Sequence, residues 1–205
     1  MRVVRHTDPA SFEGHARTFL MRAEVENNVM LGIATALAQN PSLAKPSPYF
    51  ATVHDDGDVV VCALRTPPHK LVISRTADLS ALHLLAEDVF AVYPDLSMVL
   101  GPEPTVARFA ESWSTIAGTS TSPALRQRIY EARSVVPPEP VPPGHLRQAS
   151  GEDGPMVTRW VTDFLAVMSE QRGLSRQPPS ACAAGAFSCG TMTVPYRWRA
   201  GPARR

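Results

Sequence analysis

Apolar residues recur at helical spacing near the start of the chain. After a short β-type run at residues 1–6, Asp8 and Pro9 supply a helix N-cap and a proline suited to the first turn. Beyond them one predicted face carries the apolar residues Phe12, Ala16, Phe19, Ala23, Met30, Ile33 and Leu37. Glu26 and the two asparagines after it interrupt that face. The pattern predicts two helices with a break near Glu26, the second ending at residues 40–41.

Two runs rich in β-branched residues surround an Asp/Gly turn. YFATV at 49–53 is followed by HDDGD at 54–58 and VVVCALRT at 59–66, which predicts a β-hairpin. Strands and helices then alternate, with strands at 70–75, 97–101 and 125–135 and helices at 78–93 and 103–116, the latter closed by Gly118. The alternation predicts an α/β (α+β) fold with a mixed central sheet flanked by helices.

A proline-rich segment divides the chain. Five of the seven residues at 137–143 are proline, as is typical of a semi-rigid linker. We predict a first domain at 1–136, a linker at 137–144 and an incomplete second module at 145–170. That module would hold a strand, HLRQAS, and a helix from Glu152 to Glu170 with one apolar side formed by Met156, Trp160, Phe164 and Val167. Residues 171–205 lack periodicity and are predicted to form an irregular, disordered tail.

Charge is distributed unevenly along the chain. The formal net charge is only +1, yet residues 1–170 carry all 19 acidic side chains and residues 171–205 carry six arginines and no acid. The main body is acidic and its arginines are dispersed, so nucleic-acid binding is not expected. The sequence has no run of 18 apolar residues and no signal-peptide pattern. We therefore expect no membrane span and a cytoplasmic location.

Three long segments carry a family resemblance. They are FLMRAEVENNVMLGI at 19–33, PYFATVHDDGDVVVCALRTPPHKLVISR at 48–75 and VLGPEPTVARFAESW at 99–113. With the order of the predicted elements, they resemble a bacterial subgroup of the GNAT superfamily of N-acetyltransferases that has two modules in tandem. The resemblance implies a sheet that binds acetyl-CoA between two splaying central strands. It also implies acetyl transfer to the amine of a small molecule or peptide by direct attack. HLRQASGED at 145–153 resembles the opening of the second module.

The phosphate-binding loop that the resemblance implies is altered in the first domain. GNAT proteins hold the acetyl-CoA pyrophosphate with backbone N–H groups of a glycine-rich turn, broadly Arg/Gln-x-x-Gly-x-Gly/Ala. The corresponding segment, SRTADLSAL at 74–82, keeps Arg75 but contains no glycine. Thr76, Ala77 and Asp78 would crowd a pyrophosphate, and Asp78 would also repel it. We expect acetyl-CoA, the co-substrate of complete family members, to bind this chain poorly and the chain to be inactive.

The family pattern stops near Glu170, before the loop of the second module. A shifted reading frame over residues 188–200 permits Leu-Trp-Asp-Asp-Asp-Gly-Thr-Val-Ser-Met-Ala, which resembles a second GNAT hairpin. We hypothesise that a frameshift between about Gly173 and Pro179 truncates the second module, the alternative being a natural tail with a basic end. Sequencing the gene tests this hypothesis, because a downstream frame without a glycine-rich loop contradicts it.

Few residues are candidates for chemistry. Glu24 and Glu26 could deprotonate an amine, although a solvated helix end also explains them. Tyr130 could act as the general acid that some GNAT enzymes use, or pack on a strand. No metal site is expected, since HDDGD is typical of a hairpin turn and the six histidines lie singly. Cys62 is expected to be a packed thiol. The second functional hypothesis is a non-catalytic GNAT-like module for packing or ligand recognition.

Overall fold

A computed structural model describes residues 1–43, 48–174, 187–189 and 196–199, with side chains up to residue 167. The chain divides into two compact units. One comprises Met1–Glu131 with Ser188–Arg205, and the other comprises Ala132–Phe187. No described helix is long and apolar enough to cross a membrane.

The first helices follow the predicted pattern with one shift. Strand β1 (Arg2–Arg5) precedes α1 (Pro9–Leu20), and the Asp8 side chain caps α1 by accepting a hydrogen bond from the Ser11 N–H at 2.8 Å. The break lies earlier than predicted, in a 3-10 turn at Met21–Ala23, and α2 spans Glu24–Gln39. Glu26 therefore belongs to the first turn of α2, where a carboxylate interacts favourably with the helix dipole. The end of α2 is as predicted.

The predicted hairpin is confirmed. Strands β2 (Tyr49–Asp55) and β3 (Asp58–Arg65) pair antiparallel, and β1 pairs antiparallel with β2. The turn between them has positive φ at both central residues, 46° at Asp56 and 95° at Gly57. Aspartate and glycine tolerate this backbone conformation, which matches the twist of the two strands. HDDGD is therefore a turn in the structure.

A mixed sheet forms the centre of the first unit. After β3 come β4 (Leu71–Ile73), α3 (Ala81–Val92), β5 (Met98–Leu100), α4 (Glu103–Ala117) and β6 (Ser120–Pro123). Gly118, with φ of 63°, ends α4 as predicted. β4 and β5 are parallel, and the other pairings in the sheet are antiparallel. The predicted mixed sheet flanked by helices is confirmed.

Alternate residues of β3 face two separate apolar clusters. Val61 and Ala63 lie in the cluster that contains the buried residues of α3 and α4. Cys62 and Leu64 lie in the cluster that contains the buried residues of α1 and α2. This is the period-two alternation of a strand buried on both faces. The two helix pairs therefore cover opposite faces of the sheet.

The chain after α4 differs most from the predictions. Of the strand predicted at 125–135, the structure contains the short β7 (Tyr130–Ala132), and β6 lies just before the predicted range. The strand predicted at 145–150 is wrong, because those residues form no strand. Arg147 and Ser150 instead bind the Asp153 carboxylate just before helix α5, Gly154–Leu174. That helix extends past the predicted end at Glu170. The side chains of α5 that the structure describes are exposed. Trp160 is 58% exposed and Phe164 is 61% exposed.

Two strands occur in the segment predicted to be irregular. They are β8 (Phe187–Cys189) and β9 (Tyr196–Arg199). β9 joins the main sheet, whose strand order is β1-β2-β3-β4-β5-β9-β6. A strand of four residues has too few positions for its periodicity to show in the sequence. The remaining residues of the predicted tail lie outside the described ranges, so their predicted disorder stays a prediction.

Candidate functional site

The turn between β4 and α3 is tied to its surroundings through its own backbone. The Ser74 N–H donates to the Cys62 carbonyl at 2.9 Å, and the Cys62 N–H donates to the Ser74 hydroxyl at 2.9 Å. The next N–H, that of Arg75, donates to the Asn27 side-chain oxygen at 3.0 Å. Asn27 is 3% exposed, and its amide nitrogen donates to the Leu20 carbonyl at 3.0 Å. One buried side chain therefore joins the end of α1, the start of α2 and this turn.

Side chains of the turn accept the hydrogen bonds that follow. The Asp78 N–H donates to the Thr76 hydroxyl at 3.0 Å, and the Ser80 N–H donates to the Asp78 carboxylate at 3.0 Å. The Ser80 hydroxyl donates to the same carboxylate oxygen at 2.6 Å. The Ser80 hydroxyl, and to a smaller extent the Ser80 N–H, lower the pKa of Asp78 by these hydrogen bonds. A carboxylate thus lies immediately before α3, where the helix dipole favours an anion.

Two of the predicted site residues meet in space. The Arg75 guanidinium lies 3.7 Å from the Glu26 carboxylate, which is 18% exposed. Glu26 and Asn27 also line a small cavity of about 30 Å³ that reaches Ile73 and Gly101, at the ends of β4 and β5. Opposite charges at this distance attract, but the Arg75 side chain is 58% exposed, so this is a weak surface ion pair.

The other predicted candidates lie apart from this pair. Glu24 is exposed at the start of α2. Tyr130 is 52% exposed in β7 and does not line the small cavity beside Glu26 and Asn27. Cys62 is fully buried, and burial raises the pKa of its thiol, as expected for a packed cysteine. Within residues 1–43 and 48–167, the structure contains no group of His, Cys, Asp and Glu residues arranged to hold a metal ion.

A groove of about 650 Å³ opens between α2 and the strands β3, β4 and β5. Its lining is mainly apolar, with Thr66, His69, Lys70 and Ser97 contributing the polar side chains, whereas the apolar ones come from Val29, Ile33, Leu64, Pro68, Val72, Met98 and Leu100. An apolar concave surface with few polar groups is typical of small-molecule sites of this volume.

Packing at Gly101 keeps the ends of β4 and β5 close together. A Cβ atom at Gly101 would lie 2.6 Å from the Ile73 carbonyl oxygen and 3.0 Å from Val106. Only glycine fits at such a distance, since the obstructing atom belongs to backbone. The two strands pair through Leu71 with Val99 and Val72 with Leu100, immediately before this contact.

Sequence reasoning missed two polar groups. The first is Asn27, which the sequence pattern marks only as a helix interruption, although a buried asparagine must find hydrogen-bond partners. The second group is Asp88 on α3, which accepts bonds from the Tyr49 hydroxyl at 2.6 Å and from the Arg5 guanidinium at 2.9 Å. Burial and this hydrogen bond raise the pKa of Tyr49. No local pattern predicts that Tyr49 and Arg5 would meet Asp88.

A third polar group surrounds the buried His6. One ring nitrogen lies 2.9 Å from the Thr52 hydroxyl and the other 3.3 Å from the Ser11 hydroxyl. Burial lowers the pKa of His6, and the neighbouring His15 and His54 add to this effect. The neutral ring satisfies both hydroxyls, so this group is structural and couples β1 to β2.

No family model and no curated protein matches the sequence. One solved structure, described as the crystal structure of N-acetyltransferase from Staphylococcus aureus Mu50, is similar over 66% of this chain and 88% of that chain. The two share 8% sequence identity, and the TM-score is 0.36. A likeness of this size does not extend the activity of that protein to this chain.

Proposed function

We propose that the first unit is an acyltransferase-like module of the GNAT kind that does not bind acetyl-CoA at its β4–α3 turn, and that this chain has no N-acetyltransferase activity. The observation that carries the proposal is the hydrogen bonding of that turn. The N–H groups of Arg75, Asp78 and Ser80 donate to Asn27, Thr76 and Asp78. A pyrophosphate would need such donors, and here side chains already accept their hydrogen bonds.

Charge supports the same proposal. The Asp78 carboxylate lies before α3, so an incoming pyrophosphate would meet a like charge at the favoured anion position. The Arg75 guanidinium is paired with Glu26. The residues of the β4–α3 turn therefore do not fit the pyrophosphate. The Glu26 carboxylate is paired with Arg75, so it is not a free general base. Catalytic roles for Glu24, Glu26 and Tyr130 stay predictions.

Isothermal titration of acetyl-CoA into the full chain tests this proposal. We expect no saturable heat from the unaltered protein. The double variant T76G/D78G removes two of the three acceptors, the Thr76 hydroxyl and the Asp78 carboxylate, together with the like charge, and it should gain weak binding. D56N changes the net charge equally at the distant hairpin turn and should gain none. Saturable binding by the unaltered protein, abolished in R75A, would contradict the proposal.

A second candidate function is recognition of a small, largely apolar ligand, such as an apolar amine. The observation that favours it is the groove between α2 and the sheet, whose volume and lining suit such a ligand.

Binding of anilinonaphthalene sulfonate, a fluorescent apolar probe, tests this function. Its fluorescence in the presence of the protein should fall in V29E, where the new charge enters the groove. V135E, at an 86% exposed position outside it, is the matched control. Equal fluorescence from both variants would argue against the groove as a binding site.

The remaining expectations about the chain belong to this proposal as well. They are a cytoplasmic location, the absence of nucleic-acid and membrane partners, and the hypothesis of a frameshift near residues 173–179. The gene sequence tests the last of these directly.

A further inference from the structure

A cavity of about 230 Å³ lies in the first unit where β1 ends, β2 begins and α3 ends. Its lining includes Arg5 of β1, Pro48 and Tyr49 at the start of β2, and Val92 and Tyr93 at the end of α3. We call it the Arg5 cavity. Among the residues that the structure describes, it shares none of its lining with the groove between α2 and the sheet.

The Arg5 side chain is held in place by α3. Its Nε and Nη2 groups each donate to the Asp88 carboxylate at 2.9 Å, and Nη2 also donates to the Asp88 carbonyl at 3.2 Å. The same carboxylate accepts the Tyr49 hydroxyl at 2.6 Å. Asp88 and Tyr49 are mostly buried, with side-chain exposure of 20% for Asp88. A guanidinium that makes two bonds to such a carboxylate has a fixed direction.

One nitrogen of this guanidinium is unused. Within the described part of the chain, Arg5 Nη1 makes no hydrogen bond, and the side chain is 49% exposed. Arginine stays positively charged and can only donate hydrogen bonds. The bonded and stacked side chains of this cluster include two cations, Arg5 and Arg65, and one anion, Asp88. The central carbon of the Arg65 guanidinium lies 4.1 Å from the centre of the Tyr93 ring. The free donor and the excess of positive charge favour an anionic acceptor.

Aromatic and apolar side chains form the other walls of the Arg5 cavity. The ring centres of Tyr49 and Tyr93 lie 6.1 Å apart, and the two rings are inclined by 70°. Pro48 and Val92 add apolar surface. Aromatic ligands pack well against tyrosine rings in offset or edge-to-face arrangements. The volume is below the range of about 300–1,000 Å³ that is typical of pockets for drug-sized ligands, so it suits a ligand with one ring.

We propose that the Arg5 cavity binds a small aromatic carboxylate, whose carboxylate accepts a hydrogen bond from Arg5 Nη1 and whose ring packs against Tyr93. Asp88 and Tyr49 orient Arg5 before the ligand arrives, so little side-chain freedom is lost on binding. The proposal does not rest on the proposed function, because neither the β4–α3 turn nor the groove contributes to this cavity.

Titration with benzoate, followed by ¹H–¹⁵N NMR, tests the Arg5 cavity. Benzoate is added to the full ¹⁵N-labelled chain at neutral pH, where benzoate is ionised. We expect saturable shifts of the Arg5 Nε–H signal and of the backbone amide signals of Val92 and Tyr93. Benzamide keeps the ring without the charge, and acetate keeps the charge without the ring. Each should bind about tenfold more weakly than benzoate.

Two pairs of variants locate the binding. R5Q removes the donor, whereas R2Q makes the same change in charge at an exposed position of the same strand. Benzoate should bind to R5Q about tenfold more weakly than to R2Q. V92D places a like charge at the cavity and leaves the contacts of Arg5 with Asp88 in place. It should weaken benzoate binding about tenfold more than V92N, which has a side chain of the same size without the charge.

The outcomes that would overturn the proposal are distinct. They are the absence of saturable shifts with benzoate, equal affinity for benzoate and benzamide, and shifts confined to the groove residues Val29 and Ile33. Equal affinity of R5Q and R2Q for benzoate would overturn it as well. If R5Q fails to fold, the comparison of V92D with V92N decides, and equal affinity of these two variants would overturn the proposal.

Discussion

Replacing Asn27 by alanine should destabilise the first unit strongly, although the side chain is small and polar. The amide of Asn27 is 3% exposed and makes two hydrogen bonds of 3.0 Å, one to the Leu20 carbonyl and one from the Arg75 N–H. Alanine removes both partners and replaces neither. Two backbone groups from different elements then lose their hydrogen bonds in a mostly dry environment.

The size of the effect follows from those two groups. A buried polar group left without a partner costs about 1–3 kcal/mol. The Arg75 N–H is only partly buried, so water can replace part of its bond. We expect a total loss of about 2–4 kcal/mol in the free energy of unfolding for N27A. That is a large share of the stability of an ordinary domain.

Urea unfolding of the full chain, followed by circular dichroism, measures this loss. The midpoint should fall for N27A while the slope of the transition stays the same. N28A is the matched control, because Asn28 is the next residue in the chain and is exposed; its midpoint should stay near that of the unaltered protein. If N27A and N28A unfold at the same urea concentration, Asn27 does not connect α1, α2 and the β4–α3 turn as described.

Three further predictions concern other parts of the first unit. G101A should destabilise the protein by about 2 kcal/mol or more, because its Cβ would lie 2.6 Å from the Ile73 carbonyl oxygen, as expected of overpacking. G32A, which places a methyl group in open space within α2, should stabilise the protein by about 0.5–1 kcal/mol. Thermal unfolding compares the two variants, and equal shifts in the midpoint would contradict the close approach at Gly101. The pKa of His6 is lowered in the folded state, so its neutral form is favoured there. The free energy of unfolding should be at its full value above a pH of about 6.5, the ordinary pKa of histidine, and should fall as the pH decreases below it. Urea titrations at several pH values should show a shallower fall of this free energy for H6Q than for the unaltered protein. Identical pH dependence in the two proteins would refute the assignment to His6. Burial raises the pKa of the Cys62 thiol, so iodoacetamide at pH 8 should alkylate it only in urea, as peptide mass spectrometry reports; rapid alkylation in the native state would show that the strand opens.

Much of the first unit could be predicted from local signals. The Asp-Gly turn of the hairpin, the Asp8 cap of α1 and the Gly118 end of α4 each lie where the sequence placed them. These features depend on residues within a few positions of one another, and their backbone preferences hold in any context. The mixed sheet class followed from the alternation of such elements.

The candidate site could be predicted only in part. The loop at 74–82 and its missing glycines were evident from the sequence, as was Arg75. Its pairing with Glu26 and the role of Asn27 were not, because these contacts join residues about fifty positions apart. The prediction of a strand at 145–150 was wrong for a related reason. A run with β propensity becomes a strand only when an edge is available to pair with it.

The sequence by itself determined where most helices and strands of the first unit begin and end, and which of their faces are apolar. Only the tertiary structure decided which groups accept the hydrogen bonds of the β4–α3 turn and which strand lies between β5 and β6. The physical reason is that turns and caps are satisfied within a few residues, whereas a buried amide or an open sheet edge takes whatever partner folding brings to it. For this chain, those distant partners are Asn27 and the strand Tyr196–Arg199.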